Sequence, residues 1–255
     1  MKHTLKQLIL SILRIFAPSL KNRASVLMYH SVGVNDAFFT VQSEDFELQL
    51  QYIKSRGFAA LKLSELVGRL EGGEEISNCA VLTFDDGYKD NYTNVFPLLK
   101  KYNIPATIFI ITGLIGGEQK VSSGEVLPML ESSEMREMHA SGLVEFMPHT
   151  VSHRRITELG REEVQRELKE SRYALEGMFS EEADIFAYPF GAYNEEVVAV
   201  LEEQGFKGAV TVKEGLVGAA NDIYRLPRNA VDSATSFGEF KAKLSRAVEI
   251  FARVR

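Results

Sequence analysis

The stretch Ala80-Val81-Leu82-Thr83-Phe84-Asp85-Asp86-Gly87 is a short apolar run that ends in two adjacent carboxylates and a glycine. An apolar run of this length predicts a buried strand, and the glycine indicates a turn directly after it. In α/β proteins the polar groups of an active site lie beyond the carboxyl ends of the strands. The stretch therefore predicts an α/β fold and the edge of the sheet at which a site is expected.

Apolar runs of this kind alternate along the chain with longer amphipathic segments, a pattern typical of parallel strands joined by helices. The predicted strands are Val26–Tyr29, Ala59–Leu63, Ala80–Phe84, Ala106–Thr112, Val144–Met147, Ile185–Tyr188, Ala209–Val212 and Tyr224–Val231. No repeat or Pro-rich linker divides the chain, so an α/β barrel and an open doubly wound sheet both fit. Seven or eight parallel strands in the 231 residues after position 24 favour the barrel.

The amphipathic segments between the strands predict helices. They are Ser43–Arg56, Asp90–Tyr102, Ser132–Ser141, Arg161–Phe179, Asn194–Gln204 and Ser236–Ala252. Gly57, Gly142 and Gly205 follow three of these segments and are predicted to end them, because glycine readily adopts the left-handed conformation found after helices.

Composition excludes several classes of protein. The 255 residues are 45% hydrophobic and 25% charged, which is ordinary for a globular domain. A net charge of -6 argues against binding to duplex nucleic acid, which needs a surplus of Lys and Arg. The single cysteine, Cys79, excludes an intramolecular disulfide and a metal site built from cysteines.

Residues 1–24 are predicted to be a leader that precedes one domain over residues 25–255. Lys2, Lys6 and the apolar run Leu8–Phe16 imitate a signal peptide, but Arg14 interrupts the run and no small-x-small cleavage site follows. The run is also shorter than the roughly 18 residues that span a bilayer. An interfacial helix in peripheral contact with a membrane and a helix packed on the domain both fit. The expected location is the cell envelope or a membrane surface, with the cytoplasm as the alternative.

The adjacent carboxylates of Asp85 and Asp86 repel each other unless a cation lies between them or one binds a proton. The pair therefore indicates a metal ligand beside a general base. Phosphate-transfer sites with magnesium also use paired acids after a strand, and an exposed Asp-Asp-Gly turn is the structural alternative.

His149-Thr150-Val151-Ser152-His153 follows another predicted strand. Imidazoles four residues apart converge when the segment turns, and neutral histidine is a strong ligand for zinc and related divalent metals. Two surface histidines are the alternative interpretation. Two histidines and one aspartate form a common open metal site that leaves positions for water and substrate.

Two further strand ends carry candidate groups. Tyr188-Pro189-Phe190-Gly191 predicts a tight turn whose backbone N–H near Phe190 would stabilise an oxyanion, although an ordinary Pro-Gly turn also fits. His30 ends the first predicted strand, where an imidazole suits a general acid that protonates a leaving amine. The alternative for His30 is a histidine that is merely hydrogen-bonded at a strand end.

These motifs, in this order, resemble the polysaccharide deacetylase family, carbohydrate esterase family 4, over roughly residues 25–231. Thr83-Phe84-Asp85-Asp86-Gly87 is similar to the first family motif and His149–His153 to the second. The resemblance implies a distorted (β/α) barrel and a divalent metal, commonly zinc, with Co2+, Ni2+ or Fe2+ as alternatives. It also implies that Asp86, His149 and His153 bind this metal and that Asp85 is the base.

The third motif resembles the family only in part, because many members have an arginine, which orients the base, where Ala187 stands. This variant is most similar to the branch that includes poly-N-acetylglucosamine deacetylases, which takes its acid from the N-terminal strand. No histidine follows His153, so the resemblance assigns the acid to His30. Arg228 is the first candidate for the missing arginine function and Arg225 the second.

The expected function is metal-dependent hydrolysis of N-acetyl groups on an N-acetylglucosamine polymer, with an N-acetylated glycan as partner. Peptidoglycan, chitin-like oligomers and a small amide are alternative substrates. A glycan-binding module without catalysis is the alternative from another class. The sequence leaves the oligomeric state open.

Overall fold

The predicted apolar runs form eight parallel strands in residues 20–252, the part of the chain that this computed structural model describes. The strands are β1 (Ala24–Tyr29), β2 (Ala59–Leu61), β3 (Cys79–Phe84), β4 (Ala106–Ile110), β5 (Val144–Pro148), β6 (Ile185–Ala187), β7 (Gly208–Val210) and β8 (Asn229–Ala230). Each lies within a predicted run or within two residues of its ends.

Six of these strands belong to one sheet, in the order β8-β1-β3-β4-β5, with β2 also hydrogen-bonded to β3. β6 and β7 pair with each other. In the described residues β6 lies beside β5 without a hydrogen-bonded ladder, and an isolated bridge between Val210 and Leu226 links β7 to the segment that enters β8. The strands thus close into a distorted (β/α) barrel, which confirms the predicted fold.

The central strands are buried along their whole length. All residues of β1, β3, β4 and β5 are buried. Strands buried on both faces are expected in a barrel, where one face is directed to the interior and the other is covered by helices. Cys79, the first residue of β3, is a buried free thiol.

Helices surround this barrel, and all of them except α2 lie in segments predicted as helical. They are α1 (Ser43–Ser55), α2 (Leu63–Glu71), α3 (Phe96–Tyr102), α4 (Ser132–Ala140), α5 (Arg161–Phe179), α6 (Glu195–Glu203), α7 (Phe237–Lys243) and α8 (Ala247–Ala252). Gly57, Gly142 and Gly205 follow α1, α4 and α6 with φ of 69°, 74° and 73°. These three predicted helix ends are confirmed.

Helix α2 was not predicted, because Leu63 was assigned to the preceding strand, although Leu63, Leu66 and Val67 have helical spacing. Contacts from distant strands also hold its first turn. The Leu63 amide donates to Thr107 Oγ1 at 2.9 Å, and the Ser64 amide donates to Glu145 Oε1 at 3.1 Å. These acceptors satisfy amides that the start of a helix leaves without partners. The local sequence around residue 63 carries no sign of them.

Three predicted bounds were wrong. Residues 224–231 form a strand only at Asn229–Ala230, because Pro227 has no N–H to donate to a neighbouring strand. The segment 90–102 begins with a π-helical turn at Asn91–Val95 before α3 starts. The segment 236–252 divides into α7 and α8.

Most of the predicted leader lies outside the described residues, which include only residues 20–24 of it. Among the helices that the structure describes, none combines the length and apolar character needed to cross a bilayer.

Candidate metal centre and active site

Polar side chains gather at the carboxyl-terminal end of the barrel. Asp85 and Asp86 directly follow β3, His149 follows β5 and His30 follows β1. This is the end at which barrel folds place reactive groups. The fold thus brings together predicted site residues that lie far apart in the sequence.

Asp86, His149 and His153 form a compact cluster. One ligand atom from each lies within 4.8 Å of those of the other two. Asp86 Oδ1 is 3.5 Å from His149 Nε2 and 3.4 Å from His153 Nε2. The Asp86 and His149 side chains are almost fully buried, and His153 is partly exposed. The cluster is therefore accessible on the side of His153.

The donor set fits a divalent cation. Asp86 Oδ1 is buried and has no hydrogen-bond partner among residues 20–252, which is costly for a carboxylate oxygen. In a tetrahedral site with metal–ligand distances of about 2.0–2.1 Å, the ligand atoms lie about 3.3–3.4 Å from one another. The distances from Asp86 Oδ1 to the Nε2 atoms of His149 and His153, 3.5 and 3.4 Å, are close to this spacing. A cation bound here would satisfy the unpaired oxygen.

The backbone of β6 orients His149. Its Nδ1 is 2.8 Å from the carbonyl oxygen of Ala187, so Nδ1 carries the hydrogen and Nε2 presents its lone pair to the cluster. Burial lowers the pKa of His149 to about 4, although the nearby Asp85 and Asp86 act in the opposite direction. His149 is therefore neutral at pH 7, the state required of a metal ligand.

Asp86 is held by its backbone and by a tyrosine. Its φ of 73° lies in the left-handed region, and the Tyr88 hydroxyl donates to Asp86 Oδ2 at 2.9 Å. Burial, followed by the charge of Asp86, raises the pKa of the Tyr88 hydroxyl well above its usual range. Tyr88 thus remains a donor, which leaves Oδ1 directed to the two imidazoles.

Asp85 is paired with Arg228 instead of joining the cluster. Arg228 Nη1 donates to Asp85 Oδ1 at 2.6 Å and Nη2 to Oδ2 at 2.7 Å. Burial by itself raises the pKa of Asp85, but the Arg228 guanidinium outweighs burial and lowers the pKa to about 2. Asp85 is consequently ionised and fixed in orientation.

Arg228 lies in the barrel interior, and all three of its guanidinium nitrogens donate hydrogen bonds. Its Nε donates to the Thr211 carbonyl at 3.0 Å, and Nη1 also reaches Thr83 Oγ1 at 3.1 Å. The side chain is fully buried, and its guanidinium lies 5.4 Å from the Phe109 ring centroid. Arg225, the second candidate, instead pairs with Asp222 and Glu195. Between the two candidates, the geometry favours Arg228.

His30 lies at the rim of the site. It lies close enough to Asp85 for an electrostatic interaction, and its ring stacks on Phe39 with centroids 5.0 Å apart. Its carbonyl accepts from Asn91 Nδ2 at 2.9 Å, which fixes the end of β1. The ring is half-buried. The structure therefore places His30 near Asp85 but outside the Asp–His–His cluster.

The third motif forms a tight turn beside His153. Phe190 has φ 59°, and its ring, 56% exposed, lies 4.6 Å from that of His153. Gly191 has φ 64°, and a Cβ there would lie 2.4 Å from Val212 Cγ2, so only glycine fits. The amides of Gly191 and Ala192 donate within the turn, which leaves that of Phe190 as the candidate oxyanion donor.

The other two residues of this motif support the turn. The Tyr188 hydroxyl donates to the Tyr224 carbonyl at 2.9 Å, and its ring packs against Phe186 in an apolar cluster. The Tyr188 side chain is therefore a packing element in this structure. Pro189 is buried at the first position of the 3-10 turn Pro189–Gly191.

The sequence analysis missed four supporting groups. They are Tyr88, the Ala187 carbonyl, the partly buried carboxylate of Asp90 and the buried carboxylate of Glu167. Asp90 accepts a hydrogen bond of 2.5 Å from Ser31 Oγ. Ser31 directly follows His30 in the chain. Tyr88 had a signal in its position directly after the Asp-Asp-Gly motif. Backbone carbonyls and helix glutamates have no distinctive sequence pattern.

Comparison with known proteins gave consistent matches. Residues 72–209 match the family model for polysaccharide deacetylase. The chain is 32% identical over 218 residues to YxkH of Bacillus subtilis, a match that covers 85% of this chain and 74% of that protein. It is 28% identical over 236 residues to the poly-beta-1,6-N-acetyl-D-glucosamine N-deacetylase of Staphylococcus epidermidis, covering 84% and 80% of the two chains.

The fold is also similar to a solved structure. The deacetylase PplD of Streptococcus pyogenes, solved in complex with acetate, superposes with a TM-score of 0.77 at 28% identity. The match covers 87% of this chain and 98% of that one.

Proposed function

Because the chain belongs to the polysaccharide deacetylase family, we propose that it hydrolyses N-acetyl groups of an N-acetylglucosamine-containing polysaccharide in a reaction that depends on a divalent metal. One observation carries the proposal: the buried, unpaired Oδ1 of Asp86 is directed to the Nε2 atoms of His149 and His153. Zinc is the first candidate for this donor set, and Co2+, Ni2+ and Fe2+ are alternatives.

The metal has a limited task in this proposal. Asp86, His149 and His153 would hold the divalent cation, which would supply Lewis acidity for the acetyl carbonyl and the attacking water. Asp85 takes the proton of this water. A carboxylate with a pKa of about 2 is a weak proton acceptor, so the transfer relies on the acidified water. Arg228 keeps Asp85 ionised and oriented.

Two further groups complete the reaction. The Phe190 amide donates to the developing oxyanion, and His30 protonates the amine nitrogen as the C–N bond breaks and acetate leaves. The exposed ring of Phe190 gives a sugar an apolar surface beside His153. In this proposal a substrate would lie over the Asp86–His149–His153 cluster, within reach of both His30 and Phe190.

The names of the relatives support the substrate class. The Staphylococcus epidermidis protein is named a poly-beta-1,6-N-acetyl-D-glucosamine N-deacetylase, and the PplD structure holds acetate, the expected product. Poly-β-1,6-N-acetylglucosamine is therefore the first candidate substrate. Peptidoglycan, chitin-like oligomers or another amide are alternatives, and a non-catalytic glycan-binding module is the alternative outside the enzymes.

Acetate release tests the function. The purified protein would be analysed for metal and given poly-β-1,6-N-acetylglucosamine, N-acetylglucosamine oligomers of increasing length, and peptidoglycan fragments. We expect Asp85→Asn to retain its metal and to lose turnover about 10²–10⁴-fold, the range typical of general base catalysis. Asp45→Asn, an exposed site on α1, is the control.

The outcomes separate the alternatives. Full activity of Asp85→Asn contradicts its assignment as the base. Glycan binding without metal and without released acetate favours the binding module. Activity on only one polymer identifies the substrate.

For the leader we propose peripheral contact with an anionic membrane, which corresponds to a location in the cell envelope. The basic residues and apolar run of residues 1–24 support the proposal. Co-sedimentation of the full chain with phosphatidylglycerol vesicles tests it. We expect Lys2→Glu/Lys6→Glu to weaken this binding, and equal binding of both proteins would contradict the proposal.

A further inference from the structure

The loop that carries both histidine ligands has an unfavourable backbone. Thr150 and His153 have φ of 67° and 55°, in the left-handed region. A positive φ is especially costly for a β-branched residue such as Thr150. Such a conformation persists only where surrounding contacts impose it. The ligand loop, defined as residues 149–153, therefore depends on neighbouring elements for its shape.

One side of the ligand loop is held by the segment after β4. The Thr112 amide donates to the Thr150 carbonyl at 3.1 Å, and the Gly113 amide donates to the Val151 carbonyl at 3.0 Å. These bonds fix the carbonyl groups of the loop. The amides of Val151 and Ser152 take no part in these bonds and find their acceptor on α5 instead.

A buried carboxylate on α5 accepts those amides. Glu167 Oε2 accepts from Val151 N at 2.8 Å and from Ser152 N at 3.0 Å, and Oε1 accepts from Ser152 Oγ at 2.5 Å. The residue is only 6% exposed. Burying a carboxylate is expensive unless its oxygens are hydrogen-bonded, and hydrogen bonds to a charged acceptor are strong.

We propose that Glu167 is a positioning residue for the metal centre: it holds the peptide groups of Val151 and Ser152 so that His149 and His153 share one cation. The inference rests on the proposed function, because it assumes that these histidines bind metal. Glu167 does not reach the cluster itself and acts through the ligand loop. Loss of such an outer contact commonly weakens metal affinity by about 10–100-fold.

Metal affinity provides a direct test. Zinc affinity would be measured by competition with a chromogenic chelator, and the Co2+-loaded proteins would be compared by absorption spectroscopy. We expect Glu167→Ala to weaken zinc binding by about 10–100-fold and to alter the Co2+ spectrum. Glu167→Gln should lie within about threefold of wild type, because both loop amides donate to one oxygen, which the amide of glutamine retains.

A matched control lies on the same helix. Glu170 is exposed on α5, one turn from Glu167, so Glu170→Ala should bind zinc like wild type. Wild-type zinc affinity and an unchanged Co2+ spectrum in folded Glu167→Ala would overturn the inference. If Glu167→Ala does not fold, Glu167→Asp decides: the charge is kept but the carboxylate is withdrawn, and unchanged affinity would again overturn it.

The test is separable from that of the proposed function. If the wild-type protein binds zinc but releases no acetate from any glycan, the deacetylase proposal fails while the Glu167 variants still report on the ligand loop. If the wild-type protein is active and the Glu167 variants bind zinc normally, only the inference about Glu167 fails.

Discussion

Arg228 and Asp85 are 143 positions apart in sequence, yet they form two parallel hydrogen bonds of 2.6 and 2.7 Å in the barrel interior. Both side chains are almost completely buried, so neither charge has water as an alternative partner. Removing one partner of a buried ion pair lowers the stability of a protein far more than replacing both partners. The pair therefore stabilises the fold and also fixes the orientation of the Asp85 carboxylate.

The first prediction concerns this pair. Arg228→Met should lower the free energy of unfolding by about 3–5 kcal/mol, because it leaves the Asp85 charge buried and unpaired. The double variant Asp85→Asn/Arg228→Met should be more stable than Arg228→Met alone. Urea unfolding measures both effects. Arg225→Met, which removes a partly exposed ion pair, should cost less than about 1 kcal/mol. Equal effects of the two arginine substitutions would refute the prediction.

The second prediction concerns pH. Asp85 has a pKa of about 2 in the folded protein, below the value of about 3.9 in an unfolded chain. Its ionisation thus contributes stability that is present above pH 4 and lost as the pH falls towards 2. Between pH 6 and pH 3, the unfolding free energy of wild type should fall by about 1 kcal/mol more than that of Asp85→Asn. Parallel curves from urea unfolding at each pH would contradict this.

The third prediction separates the acid from the base. His30→Gln should reduce turnover of an N-acetylated sugar by about 10²–10⁴-fold, because the amine leaves poorly without a proton. With 4-nitrophenyl acetate, whose leaving group needs no proton, the loss should be much smaller. Steady-state rates with both substrates measure the difference. His139→Gln, on α4 at the surface, should leave both rates unchanged. Equal losses on both substrates would exclude His30 as the acid.

The fourth prediction concerns the metal ligands. His149→Ala and His153→Ala should each bind zinc at least about 100-fold more weakly than wild type, because each removes one of the three proposed ligands. His139→Ala should bind zinc normally. Equilibrium dialysis followed by metal analysis gives the affinities. Normal zinc content in both cluster variants would mean that the metal binds elsewhere.

The fifth prediction tests the ligand loop from the side opposite Glu167. A Cβ at residue 113 would lie 2.5 Å from the Val151 carbonyl oxygen, a backbone atom that cannot move without moving the loop. Gly113→Ala should therefore weaken zinc binding and lower stability. Gly177→Ala, on α5 with open space around it, should instead leave zinc binding unchanged and add up to about 1 kcal/mol of stability. Chelator competition and urea unfolding measure both, and unchanged zinc affinity in Gly113→Ala would refute the prediction.

Much of the fold was predictable because its signals are local. Apolar runs such as Ala80–Phe84 are buried on both faces, and their alternation with amphipathic segments identified the parallel strands. Polar residues at the ends of these runs indicated where the site lies. The apolar spacing of α2 is also a local signal, but its exact start was not predictable. Its first amides donate to Thr107 and Glu145, which lie on other strands.

The supporting groups of the site show the same limit. Asp85, Asp86, His149 and His153 stand in short motifs, whereas Glu167 looks like any charged residue of an amphipathic helix. Its burial becomes apparent only when α5 packs against the ligand loop. Arg228 was identified through the family resemblance, and nothing in its neighbouring residues distinguishes it from Arg225.

The neighbouring strands β5 and β6 share no hydrogen-bonded ladder, and the His149 imidazole reaches across this seam to the Ala187 carbonyl. If His149 binds the cation as proposed, one side chain would present Nε2 to the ion while its Nδ1 joins β5 to β6. Metal loading should then slow hydrogen–deuterium exchange in β6, beyond the residues that touch the ion. The centre would in this way brace the wall of the barrel.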